Sequence, residues 1–234
     1  MLTAIRKRFP PPIVFHIDCN GGYDLQEDYE FLSTLDQYEL AMIEQPLNPT
    51  TGGNGGDLMD HAELASILKT PICLDESINS IQSAKRAIEL GSAKVLNIKP
   101  GRCGGVTVAL QIMAHAKEHG IPCWIGGMLE SAVGAEFCKA LASLDNCSYP
   151  ADIFPSAKFY VQDLSSPEIE VWSHTRDDGT KVTVTSASTT PHTTRPVPAM
   201  IQRATVSSYV VFGDGSGSVS TGLLGDALRK GANL

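Results

Sequence analysis

From Ile13 to Ile153 short apolar runs alternate with longer stretches of helical spacing. The runs are "IVFHID", "AMIEQP", "PICLDE", "VLNIKP", "PCWIGG" and "PADIF". Between them stand "DLQEDYEFLSTLDQY", "DHAELASILK", "SIQSAKRAIELG", "VTVALQIMAHAKEHG" and "SAVGAEFCKALASLD". In the intervening pieces apolar residues recur three and four positions apart, the mark of an amphipathic helix. The runs themselves are almost continuously apolar, as expected of parallel strands covered on both faces. Strand follows strand at roughly 25–30 residues, the repeat of a β/α unit. Six such units predict an α/β fold. Periodicity alone leaves a doubly wound sheet and a (β/α)8 barrel both open.

A short helix, "LTAIRKRFP", precedes the first run, and "RKR" (Arg6 to Arg8) reads there as solvated helix charge. After about residue 170 the rhythm ends. "EIEVWSHTRDDGTKVTVTS" predicts a hairpin over 171–185, with "DDG" as its turn. From 186 to 234 the chain is rich in Ser, Thr, Pro and Gly and reads as a low-complexity extension. Its "GDGSGS" lacks the G-K-[ST] ending of a phosphate loop and reads as linker. The expected organisation is therefore 1–170, 171–185 and 186–234.

Composition narrows the classes. A net charge of −8 disfavours nucleic acid and anionic membrane as partners, since both reward basic patches. No apolar run approaches the roughly 20 residues of a membrane helix, and the N-terminus lacks a signal core, so a cytoplasmic protein is expected. The six cysteines, Cys19, Cys73, Cys103, Cys123, Cys138 and Cys147, form no C-x-x-C pair and read as core thiols.

The strand ends carry the chemistry. Asp18 closes "HID", Glu44 stands in "MIEQP", Asp75 in "CLDES" and Lys99 in "NIKPG". Both kinds of α/β sheet build their sites at the C-terminal ends of strands. Three carboxylates from three successive strands, with no His or Cys among them, suit a hard cation. Mg2+ fits best, with Mn2+ as a substitute. Lys99, from the fourth strand, would stand beside that ion as a base. Each residue alone reads as readily as a helix cap or an ion-pair partner; the set in this order is more specific.

The stretches "IDCNGGY", "MIEQPL", "TPICLDESI", "NIKPGRCGG", "IGGMLESAVG" and "ADIFPS" resemble the barrel of the enolase superfamily. Within it they are most similar to the muconate-lactonizing subgroup, on the o-succinylbenzoate synthase and N-acylamino-acid racemase branch. The likeness runs from about Ala4 to Glu170. It implies a (β/α)8-type barrel in which Asp18, Glu44 and Asp75 bind Mg2+ and Lys99 is an acid/base. Asn20, Gln45, Glu76 and Asn97 would orient those groups, and Gly126, Gly127, Met128, Glu130 and Ser131 would line the substrate pocket. Asp152 and Ser156 would close the last strand's rim.

The implied reaction is Mg2+-assisted removal of a proton α to a carboxylate, through an enediolate. Returning the proton gives racemisation, and losing water gives o-succinylbenzoate synthesis. The expected partner is a small carboxylate substrate. The family also has a capping domain and two further strands before the Asp18 strand, one of them bearing a Lys-x-Lys motif. "RKR" is not that motif, so an incomplete barrel of about six units is expected. Its open edges would favour a homo-oligomer. The alternative is a metal-binding or vestigial module without full catalysis.

Overall fold

Continuous apolar runs need cover on both faces, and four of the six find it in one sheet, while the first joins as an edge strand and leaves Ile13 and Val14 exposed. The computed structural model describes residues 1–50, 56–160, 162–163, 165–166, 171–175, 177–179, 181–185 and 195–196. The strands are β1 (Ile17–Asp18), β2 (Ile43–Glu44), β3 (Ile72–Leu74), β4 (Val95–Ile98) and β5 (Cys123–Ile125). All pair in parallel in the order β1-β2-β3-β4-β5, with Asp18 opposite Glu44 and Glu44 opposite Cys73. This is the α/β architecture of a partial (β/α)8 barrel. The helices are α1 (Leu2–Arg8), α2 (Leu25–Ser33), α3 (Asp57–Ile67), α4 (Ile81–Leu90), α5 (Pro100–Cys103), α6 (Val106–Glu118) and α7 (Ala132–Ala142).

Local chemistry sets the helix ends. The Asp24 carboxylate caps α2 by accepting from the amides of Gln26 and Glu27, at 2.8 and 3.2 Å. Ser80 and Ser83 form a reciprocal box at the start of α4. That helix stops at Gly91, whose φ of +75° suits glycine.

Alternation then divides the sheet. Ile43, Ile72, Leu74, Leu96, Ile98, Cys123 and Ile125 pack with helix residues such as Leu32, Leu64, Ala87 and Ile112 into the main core. The opposite face holds a small cluster of Met42, Cys73, Val95 and Trp124, with Tyr149 against it. Two residues beyond Met42, Cys73, Val95 and Trp124 come Glu44, Asp75, Asn97 and Gly126, which share that face by the period of two. The apolar floor thus leads directly into polar residues at the strand ends.

Two expectations change. The run "PADIF" forms no named strand: Asp152 alone bridges Gly126, and Cys147 bridges Cys123. Proline brackets the run at Pro150 and Pro155 and removes donors from any ladder there. Arg6 is not a solvated charge. Its guanidinium donates to the carbonyls of Tyr38, Glu39 and Ile13 and lies 4.2 Å over the Phe15 ring, pinning α1 to the sheet's start.

Described residues fall into two compact units, one of Met1–Met128 with Ala135–Phe154 and the other of Leu129–Gly134 with residues from Pro155 onward. In the second, β6 (Ser165–Ser166) pairs antiparallel with β9 (Arg195–Pro196), and β7 (Val171–Thr175) with β8 (Lys181–Thr185). The latter is the expected hairpin, and Gly179 in its turn has φ of +82°. Apart from 195–196, the segment 186–234, with its "GDGSGS", lies outside the described residues. No helix among the described residues is long and apolar enough to cross a membrane. The six cysteines are free, four of them buried.

Candidate functional site

The end of β3 shows how the sheet delivers its carboxylates. Asp75 is completely buried. Its backbone is fixed by Gln45, whose amide oxygen accepts from the amides of Asp75 and Ser77 at 3.0 and 3.2 Å. The Gln45 amide nitrogen donates to Ser77 Oγ at 2.8 Å and to the Leu47 carbonyl at 3.0 Å. Gln45 itself holds a φ of +32°. A buried amide with every group bonded is a rigid brace, here between the end of β2 and the turn bearing Asp75.

The Asp75 carboxylate receives two cations. Lys99 Nζ lies 2.8 Å from Oδ2, and Arg102, on α5, pairs with Oδ1. Arg102 was not anticipated from sequence; its signal is "KPGRCGG", which puts a cation one helical turn after Lys99. Lys99 is itself largely enclosed, with 14% of its side chain exposed.

Glu44 is buried on the same face and accepts from Asn97 Nδ2 at 2.6 Å. Burial pushes its carboxyl up to about 7, the Asn97 bond opposing and the charges of Asp18 and Asp75 adding to the rise. Asp18, at the end of β1, is exposed; Asn20 binds both its oxygens, from its backbone at 2.9 Å and its side chain at 2.7 Å. Glu76 follows Asp75 and feels the charges of Asp75, Arg102 and Asp18. Burial raises its carboxyl, as does the Asp75 charge, and its Oε2 is buried without a hydrogen bond. Asn97 Oδ1 is likewise buried and unbonded.

Gly126 continues β5 into this layer. A Cβ there would collide with the Asn97 amide and stand 2.7 Å from Lys99 Cε. Gly127 donates to the Asp152 carbonyl at 2.7 Å, and Met128 Sδ lies 3.8 Å from Arg102 Nη2. Glu130, Ser131 and Ser156 belong to the other compact unit. His61, another residue missed in sequence, is fully buried on α3. It accepts from the Leu47 amide at 3.2 Å and donates through Nδ1 to the Asp57 carbonyl at 2.7 Å, which makes it a neutral brace of the loop after β2.

A divalent cation suits this donor set in kind: carboxylates alone, with Glu44 raised chiefly by burial and further by its acidic neighbours, and two unbonded buried oxygens. The spacing is looser than a coordination shell. Among described residues only His115, Glu118 and His119 bring three such ligand atoms within 4.8 Å of one another. Asp75 is turned instead to Lys99 and Arg102.

Comparison with known proteins gives the family. The Enolase C-terminal domain-like family matches residues 1–179. The chain is 46% identical over 171 residues to an o-succinylbenzoate synthase of Bacillus subtilis (strain 168), covering 73% of this chain and 44% of that protein. It is 42% identical over 173 residues to an N-succinylamino acid racemase of Amycolatopsis sp, covering 74% and 45%. It therefore spans less than half the length of these relatives. A crystal structure of an enolase-superfamily member from Enterococcus faecalis V583 superposes with a TM-score of 0.65 at 38% identity, over 72% of this chain and 44% of that one. The chain belongs to the enolase superfamily, in its Enolase C-terminal domain-like family.

Proposed function

We propose that this chain carries the metal-binding and one proton-transfer half of a site that abstracts the α-proton of a small carboxylate, in an o-succinylbenzoate synthase or an N-succinylamino acid racemase. The observation that supports this reading is the layer at the strand ends. Asp18, Glu44, Asp75 and Lys99 leave four consecutive parallel strands at one rim, with Glu44 and Asp75 buried at a cost no apolar core requires. The relatives named above add the substrate class.

Asp18, Glu44 and Asp75 would hold the cation, Mg2+ by the hardness of the oxygens. Once bound it would neutralise charge developing on the substrate carboxylate as the α-proton leaves. The chain's own residues supply the rest. Asn20 fixes Asp18, Asn97 fixes Glu44 and Gln45 fixes the backbone of Asp75. Lys99 Nζ takes the proton from the α-carbon and must first leave its pairing with Asp75 to do so. Arg102 keeps its grip on the other oxygen of Asp75, so that carboxylate stays aimed while Lys99 moves.

The test is solvent exchange. N-succinylamino acids incubated in D2O with the chain should gain deuterium at Cα only when Mg2+ is present, and Lys99→Met should abolish the gain. Exchange that survives Lys99→Met would overturn the assignment. A second reading, a metal-binding module without turnover, is favoured by the pairing of Asp75 with Lys99 and Arg102. It predicts Mg2+ binding with no exchange.

A further inference from the structure

Helix α6 ends in "HAKEH", residues 115 to 119, on the outside of the first compact unit. We infer that its C-terminal turn binds a borderline transition-metal dication, Zn2+ foremost, through His115, Glu118 and His119. The site is separate from the carboxylate rim and does not depend on the proposed reaction.

Four observations carry it. The first is spacing. Positions i, i+3 and i+4 stand on one face of a helix, and one ligand atom from each residue lies within 4.8 Å of the others. His115 Nδ1 is 3.9 Å from Glu118 Oε2, and the imidazole centroids are 4.3 Å apart. The second is the tautomer. His119 Nδ1 lies 2.8 Å from the His115 carbonyl, which can only accept, so Nδ1 carries the proton. The Nε2 lone pair is thereby left for a metal, the arrangement that orients metal-binding histidines.

The third is the helix end. α6 closes at Glu118 with His119 as its C-cap, where the helix dipole presents negative potential to a cation. The fourth is the neighbour charge. Lys117, the cation within the motif, has its Nζ tied to Asp145 Oδ2 at 2.6 Å.

Chelation asks for little movement. A tetrahedral Zn2+ with ligand bonds of about 2.0 Å sets its ligand atoms roughly 3.3 Å apart. Glu118, with 73% of its side chain exposed, can swing inward to meet that spacing. Three protein ligands leave a fourth position for water or an added donor. Two imidazoles and one carboxylate favour Zn2+, Ni2+ or Cu2+ over Mg2+, so the two sites of this chain should sort cations by softness.

The experiment is calorimetric titration of ZnCl2 into the full chain with Mg2+ already in excess. One equivalent of Zn2+ should bind, and His115→Ala and His119→Ala should each weaken it by at least about tenfold. Glu44→Gln should leave that isotherm unchanged. Cu2+ added in place of Zn2+ should show hyperfine coupling to two nitrogens in its electron paramagnetic resonance spectrum. No Zn2+ binding by the unaltered chain, or an isotherm insensitive to both histidine substitutions, overturns the site. Both histidines lie at the surface end of the helix, and circular dichroism checks that each variant stays folded.

Discussion

Two carboxylates at opposite rims of the same sheet receive opposite treatment. Asp36, before β2, accepts from the amides of Lys69 and Thr70 at 2.9 and 2.8 Å and from Thr70 Oγ at 2.7 Å, where the chain enters β3. Burial works against its charge, and these bonds outweigh burial, leaving its carboxyl below the ordinary value of 3.8. Glu44, at the exit of β2, has one bond from Asn97 and feels Asp18 and Asp75, and burial leads in raising it to about 7. The N-terminal rim uses a carboxylate to hold the chain together. The C-terminal rim gathers Asp18, Glu44 and Asp75, of which Asp75 is paired with Lys99 and Arg102 while Glu44 is held raised by burial and by its acidic neighbours. That division matches barrels in which stability resides at the bottom and chemistry at the top.

The largest expected effect lies between the rims. Leu74 is fully buried in the helix-side core, and Leu74→Ala should cost about 2–5 kcal/mol by transfer and cavity. Urea unfolding of the variant measures it. The loss should be the same with and without Mg2+, since Leu74 faces away from the carboxylates. A loss that Mg2+ rescues would mean that the two faces are not separable as argued.

Next comes Gly126→Ala, which tests how closely the upper rim is packed. The added methyl would meet the Asn97 amide and Lys99 Cε, with the strand fixed behind it. Overpacking of this kind costs about 1–3 kcal/mol. Because Asn97 holds Glu44, Mg2+ affinity measured by calorimetry should fall as well. Unchanged affinity would show that the Asn97–Glu44 bond does not shape the site.

Both rims were partly legible in the sequence, for different reasons. A parallel strand buried on both faces writes itself as an apolar run, so a charge at its end, such as Glu44 or Asp75, stands out. Helices α2 and α4 announce themselves by spacing and caps, and α6 by spacing. Contacts between distant segments leave no such trace. Nothing near Asp36 indicates that it will bind Lys69 and Thr70, and Arg6 reads as one charge in a basic triplet until the carbonyls of Tyr38 and Glu39 are beside it. Arg102 escaped because α5 is one turn long and has no periodicity. The run "PADIF" misled in the other direction: its apolar residues suit a strand, yet between two prolines it pairs only at Asp152.

Glu44→Gln acts on the upper rim alone. Removing one of three crowded charges while keeping the hydrogen-bonding shape should stabilise the metal-free chain, by about 1–2 kcal/mol if repulsion and burial are the cause. The same change should abolish tight Mg2+ binding. Thermal unfolding in chelator reads the first and calorimetry the second. A destabilised variant would show that Glu44 contributes more through the Asn97 bond than it loses through burial.

The smallest effect, and of opposite sign, belongs to Asp36→Asn. The amide keeps one acceptor oxygen for three donors, so about 1 kcal/mol should be lost near neutral pH. The pH dependence identifies the charge. A carboxyl held below 3.8 when folded contributes stability that is fully present above its unfolded value. That contribution disappears as pH falls through the lower, folded one. The gap between Asp36→Asn and the unaltered chain should therefore be constant above about pH 5 and shrink in acid, where Asp36 is protonated in both states. Chemical denaturation across that range measures the gap. If it stays constant into acid, the lower rim is held by the shape of the side chain and not by its charge, and the contrast with Glu44 reduces to burial alone.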